Sequence, residues 1–261
     1  MHYRDADDEY FAVFQESASQ VFATIGKTAY RHTYRAMFGF CAKTNSLKTA
    51  MFDCVESNNP YAFNVLFRCF CEHYLKFMYL WACLLSEKTD RVGNEYFSFC
   101  GAVEAEDYVA SLAAAERLLG NAVTADAKDA VARMYPEAAK LSRRELERAS
   151  GQFKYRSVLR FLADEKCAFV SKDRPFLAHI VPSYALLSSF VHGGPYTDLE
   201  MAKFSEKSAL EECESNVAVV AMLTASVYML TAAVVSREFP EHASVAPRVN
   251  AIIQRFIAGG E

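Results

Sequence analysis

The sequence lacks any motif whose chemistry is unmistakable. There is no G-x-S-x-G turn to expose a serine nucleophile and no H-E-x-x-H to hold zinc. The eight cysteines, at 41, 54, 69, 71, 83, 100, 167 and 213, form no C-x-x-C pair, which argues against a metal ribbon or a dithiol redox centre. Most of them lie in apolar helical runs, where free cysteine behaves as a small hydrophobe. Positive charge is also not in excess. The 28 Lys and Arg face 32 Asp and Glu for a net charge of −4, so the whole molecule exerts no pull toward nucleic acid and only local basic patches could. No secretory leader is visible, because Met1-His2-Tyr3-Arg4-Asp5 is polar; a reducing cytoplasm is the expected compartment.

Alternating strand patterns, repeats and low-complexity tracts are missing as well. What is present is helical periodicity nearly everywhere, so the expectation is an all-α multi-helix bundle with long central helices, forming one domain over residues 1–261. One helical run is read over Asp8–Ala42, with Asn45 capping a short helix through Cys54. After the breaker "ESNNP" a long helix covers about 61–86. "EDYVASLAAAERLLG" ends at Gly120, and a charged helix follows near Pro136–Arg148. Residues 112–150 are rich in charge and alanine, which suggests a peripheral helical hairpin. "KYRSVLRFLADEKCAF", "IVPSYALLSSFVHG" and an amphipathic helix after Pro247 complete the helical set.

Charge disappears altogether between Asn216 and Ser236, a stretch of 21 residues that is long enough to span a bilayer. Ala218, Ala221, Ala225 and Ala232 give it a small-residue stripe suited to close packing, and Thr224, Tyr228 and Thr231 give it a mildly polar face. A central bundle helix, apolar all round, is the preferred reading, and membrane association the lesser one.

Two helices carry the candidate chemistry. In "YAFNVLFRCFCEHYLKFMYLWACLL" the polar residues Asn64, Arg68, Glu72, His73 and Lys76 occupy an arc of about 120°. Arg68 and Glu72 are spaced to pair. They form either a solvent-facing stripe or an inward pair meeting another helix, and buried charges of the second kind need partners. The natural partner is "PSYALLSSFVHGGPY", where Tyr184, Ser188 and His192 share one face at spacings of four. There Gly193 and Pro195 stop the helix. Glu72 and His73 are adjacent and point about 100° apart, so no metal site is expected from them, and no cofactor is expected elsewhere. A separate basic cluster, Arg143, Arg144, Arg148, Lys154, Arg156 and Arg160, is the candidate nucleic-acid-binding surface, although interspersed Glu145, Glu147 and Asp164 suit a solvated face.

The R-x3-E pair Arg68/Glu72 followed by Tyr184, Ser188, His192 and Gly193 as Y-x3-S-x3-H-G resembles an uncharacterised family of bacterial all-helical proteins, over roughly residues 60–235. That resemblance implies a fold and no activity. Arg68 and His73 as R-x4-H resemble the signature of HEPN-type ribonucleases, whose scaffold is all-helical and usually dimeric. The same spacing recurs at Arg174–His179 and Arg237–His242, there interrupted by Pro175 and Pro240. This second resemblance implies a metal-independent attack of an RNA 2′-hydroxyl on its phosphate, with Arg68 stabilising charge and His73 moving protons. The expected catalytic set is then Arg68, Glu72, His73, Tyr184, Ser188 and His192. The expected function is a cytoplasmic effector acting on RNA, in a toxin or antiphage setting. The alternative is a non-catalytic helical interaction protein, working with a protein partner or as a homodimer, whose polar cluster is structural.

Overall fold

The computed structural model describes residues 2–122, 127–164, 174–202 and 207–258, and among these there is no strand. The chain is an all-α bundle. Its elements in order are α1 (Tyr3–Thr24), α2 (Arg31–Glu56), α3 (Pro60–Glu87), α4 (Arg91–Glu95), α5 (Gly101–Leu118), α6 (Ala127–Met134), α7 (Arg143–Ser150), α8 (Tyr155–Ala163), α9 (Arg174–His192), α10 (Pro195–Met201), α11 (Lys207–Val235) and α12 (Val245–Ala258).

Helix α3 is central because its sequence leaves it little choice. Pro60 sits in the first turn and the Asn59 side chain accepts from the Ala62 amide, a well-formed start. Beyond its polar stripe, Phe63, Phe67, Phe70, Phe77, Met78 and Leu80 are all buried. At roughly 1.5–3 kcal/mol for each large apolar side chain removed from water, such a helix is stable only when surrounded. Helices α2, α8, α9 and α11 surround it. The apolar α11 packs on α1, α2, α3 and α12; 61% of its most apolar window is buried, and among the described residues it alone is long and apolar enough to cross a membrane.

Several boundaries differ from the sequence reading. The run expected from Asp8 to Ala42 is broken at Ile25–Lys27 by a short 3-10 turn, and α2 then continues straight through Asn45. Asn45 caps nothing; its side-chain oxygen accepts from Lys48 at 2.8 Å. The cap of α2 comes from a distant loop. Asp90 accepts from the backbone amides of Thr33 (2.8 Å) and His32 (3.1 Å) and lies 2.7 Å from His32 Nδ1. Helix α4 begins within "EKTDRVGN", directly after α3, and passes through a π turn at Tyr96–Cys100 into α5. The charged helix expected near Pro136–Arg148 is instead a 3-10 turn followed by α7, started by a reciprocal capping box between Ser142 and Glu145. Arg174 and Pro175 open α9 rather than interrupt a helix, because proline is tolerated in a first turn. The expected end of the "KYRSVLRFLADEKCAF" helix, residues 165–169, lies outside the described residues, Cys167 included.

Around α5, α6 and α7 a second small core forms from Ala102, Ala105, Val131, Ala138 and Leu146. It is separate from the main core, which runs from α1 to α12.

Candidate functional site

The polar stripe of α3 meets α9 at one point. Arg68 lies 2.5 Å from the Glu72 carboxylate, and its other terminal nitrogen donates to the Tyr184 hydroxyl at 2.8 Å. Its guanidinium also lies over the Tyr184 ring, 4.5 Å from the centroid. Tyr155, at the start of α8, stacks on the other side of Tyr184 with ring centroids 3.7 Å apart, and donates to the Val181 carbonyl at 3.0 Å. The result is a layered stack of Arg68, Tyr184 and Tyr155 that joins three helices. Glu72 also accepts from Lys76 at 2.7 Å. Burial alone would raise the Glu72 carboxyl, but Lys76 and Arg68 outweigh it and hold it below the ordinary value. Burial and the Glu72 charge push the Tyr184 phenol up, so it stays a neutral donor and acceptor. Arg68 Nε is buried without a hydrogen-bond partner.

The rest of the expected catalytic set is not drawn in. Helices α3 and α9 run antiparallel, since Tyr61 donates to the Phe190 carbonyl at 3.1 Å while Arg68 meets Tyr184. Seven residues of α3 separate these contacts, about 10 Å of helix, so His192 lies toward the far end from Arg68. His192 is exposed, and Ser188 makes no hydrogen bond among the described residues. The neighbouring Ser189, which the sequence pattern passed over, does the structural work. Its hydroxyl donates to the Gly194 carbonyl, lies 2.9 Å from the Thr197 hydroxyl and accepts from the Thr197 amide. Gly193 takes φ +62°, the left-handed stop expected after His192, and a Cβ on Gly194 would lie 2.7 Å from Ser189 Oγ.

His73 leaves Arg68 on a different face of α3. Its Nδ1 donates to the Cys69 carbonyl at 2.7 Å, its ring packs edge-on to Phe40 of α2, and burial lowers its pKa. Arg68 and His73 therefore do not converge within one chain. The side chain of His179 lies outside the described residues. On α7 and α8, Arg143 pairs with Glu147 at 3.0 Å, whereas Arg144, Arg148, Lys154, Arg156 and Arg160 are exposed and have no ion pair among the described residues.

The most deeply buried charges escaped the sequence reading. Lys48 of α2 is 1% exposed and Asp7 of α1 is 7% exposed; they form an ion pair, with the Tyr10 hydroxyl donating to the same Asp7 oxygen. Burial lowers the Lys48 pKa against the pull of Asp7, and Tyr10, Phe11 and Phe52 surround the ammonium with ring faces. Lysine at position 48 looks like any helix-surface lysine; only the aligned polar positions on α1 hint at a partner.

No group of three His, Cys, Asp or Glu side chains among the described residues could hold a metal ion. Burial pushes the Cys41 and Cys71 thiols up to about 12, so neither is a thiolate nucleophile near neutrality. Comparison with family models, with curated proteins and with solved structures found no match for this chain.

Proposed function

We propose that this chain is a non-catalytic helical interaction protein in which the Arg68–Glu72–Tyr184 cluster sets the register of α3, α8 and α9. The observation that carries this reading is the engagement of the cluster's charged groups with one another, Arg68 Nε being the one buried donor left over. Arg68 is engaged at both terminal nitrogens and along its ring-facing plane, and Glu72 is shared by two cations. A group spent on structural contacts has little left with which to stabilise a developing charge.

A second reading is kept by the unpaired cations of α7 and α8. They form a surface suited to phosphates and support an effector acting on RNA, with the HEPN-like pair Arg68 and His73 as its metal-independent centre. In that reading a second copy or a bound RNA brings the two groups to one phosphate.

Purified protein incubated with RNA in the presence of a chelator separates the two. Under the interaction reading there is no cleavage, and Arg68→Ala lowers the melting temperature, costing about 2 kcal/mol for a hydrogen-bonded charge lost from a part-buried site. Cleavage that is abolished by His73→Ala or Arg68→Lys, with melting unchanged, overturns it in favour of the nuclease.

A further inference from the structure

A cleft of about 630 Å³ opens between α1, α2, α11 and the π turn, lined by none of Arg68, Glu72 and Tyr184. That volume is in the range that holds a small organic ligand. It lies between α1 and α2, whose side chains meet at both ends, Tyr3 on Phe52 and Asp7 on Lys48 at one and Phe22 on Phe38 at the other, while their backbones stay apart because α1 lies on α11 and α12 and α2 on α3 and α11. The space between them is walled by Phe11, Phe14 and Phe22 of α1 and by Phe38 of α2. Its floor is the buried Tyr228 of α11, which stacks on Phe14 with centroids 4.3 Å apart. The π turn brings Tyr96 and Phe97 to the far wall, a use to which such turns are often put. Over the middle of α2 the space is open, since a Cβ built on Gly39 would meet no atom within 4 Å.

Charge along the cleft has one sign. Arg35 and Lys43 border it, no Asp or Glu does, and neither cation has a carboxylate partner among the described residues. Arg35 is steadied over the Phe97 ring at 5.1 Å and Lys43 over the Phe40 ring at 5.2 Å. Eight residues of helix separate them by about 12 Å, so the two cations sit along the cleft rather than at one point. In a chain of net charge −4 this combination of aromatic walls and unpaired cations is local and specific.

We infer that the cleft binds an amphipathic small molecule with an extended apolar body and an anionic head, of the acyl carboxylate class. Aromatic walls and the Tyr228 floor take the apolar chain, and the rim cations take the head. The site is independent of the Arg68 cluster and of either function proposed above.

The test is calorimetric titration of the full chain with dodecanoate below its micelle concentration, with dodecanol and dodecyltrimethylammonium as neutral and cationic controls. Saturable one-to-one binding of dodecanoate, at least ten-fold tighter than either control, is expected. Gly39→Phe, whose Cβ meets no atom within 4 Å, projects a ring into the cleft and should abolish binding. Arg35→Glu, at an exposed position outside the core, should weaken it about ten-fold and keeps the test decisive if Gly39→Phe fails to fold. Absent or non-saturable binding, equal binding of the cationic amphiphile, or binding indifferent to both variants overturns the inference. A concentration-dependent dimer that Gly39→Phe dissociates, seen by sedimentation, also overturns it, because the occupant is then a second copy.

Discussion

Single residues in this protein matter most where a charge has been taken out of water. Lys48 and Asp7 are the clearest case: neither could remain ionised at that depth without the other, Tyr10 and Asn45. Removing one partner leaves an uncompensated buried charge, a loss of about 3–5 kcal/mol, whereas replacing both by apolar residues is close to neutral. Lys48→Met and Asp7→Leu should therefore each cost several kcal/mol, while the double variant recovers most of the loss. Urea unfolding of the four proteins in a double-mutant cycle measures this, and additive losses would mean that the pair is not coupled. Arg68 is the milder case, since it keeps contact with solvent and can lose its partners without stranding a charge as deeply.

Elements are positioned here by contacts from other elements, and α2 shows it best. No side chain of its own flank caps its N-terminus, and the Asp90 carboxylate supplies that function from the loop after α3. An anion at this end also complements the helix dipole. Asp90→Ala should cost about 1–2 kcal/mol, as for loss of an N-cap, and Asp90→Asn should retain part of it because the amide oxygen still accepts. Hydrogen exchange localises the effect: the first turn of α2 should lose protection while α11 keeps it, and uniform loss would show that Asp90 holds more than this helix end.

The molecule as a whole should respond to acid through its buried histidines. Burial lowers the pKa of both His73 and His242 below the ordinary 6.5. Folding therefore opposes protonation: stability is full above about pH 6.5 and declines as pH falls from there through the lower folded-state values. Glu72, held below its ordinary value by Lys76 and Arg68, adds a loss in the same direction at more acid pH. Urea midpoints between about pH 5 and about pH 7.5 should fall with acidification, and His73→Gln should flatten part of that slope. An unchanged slope in the variant would place the response elsewhere.

The all-helical class, the burial of α3 and the stop at Gly193 were legible in the sequence, because each depends on local pattern: apolar spacing, a proline, a glycine free to take positive φ. So was the pairing of Arg68 with Glu72, which a spacing of four allows; whether that pair faces solvent or meets Tyr184 stayed open in the sequence, and the packing of α9 on α3 decides it. What the spacing of Tyr184, Ser188 and His192 could not reveal was how far along α3 each would fall. Along two antiparallel helices each level of one faces a different level of the other, so a shared face does not bring every residue on it to the same partner. The same limit hid the Asp7–Lys48 pair and the cleft above Gly39. The pair joins α1 to α2 across 41 residues of sequence, and the cleft is the space left where α1 leans onto α11 and α12, a matter of packing between segments more than 200 residues apart. Local periodicity determined which residues share a helix face in this protein; only the tertiary packing decided which faces meet, which charges are buried together and where space is left open.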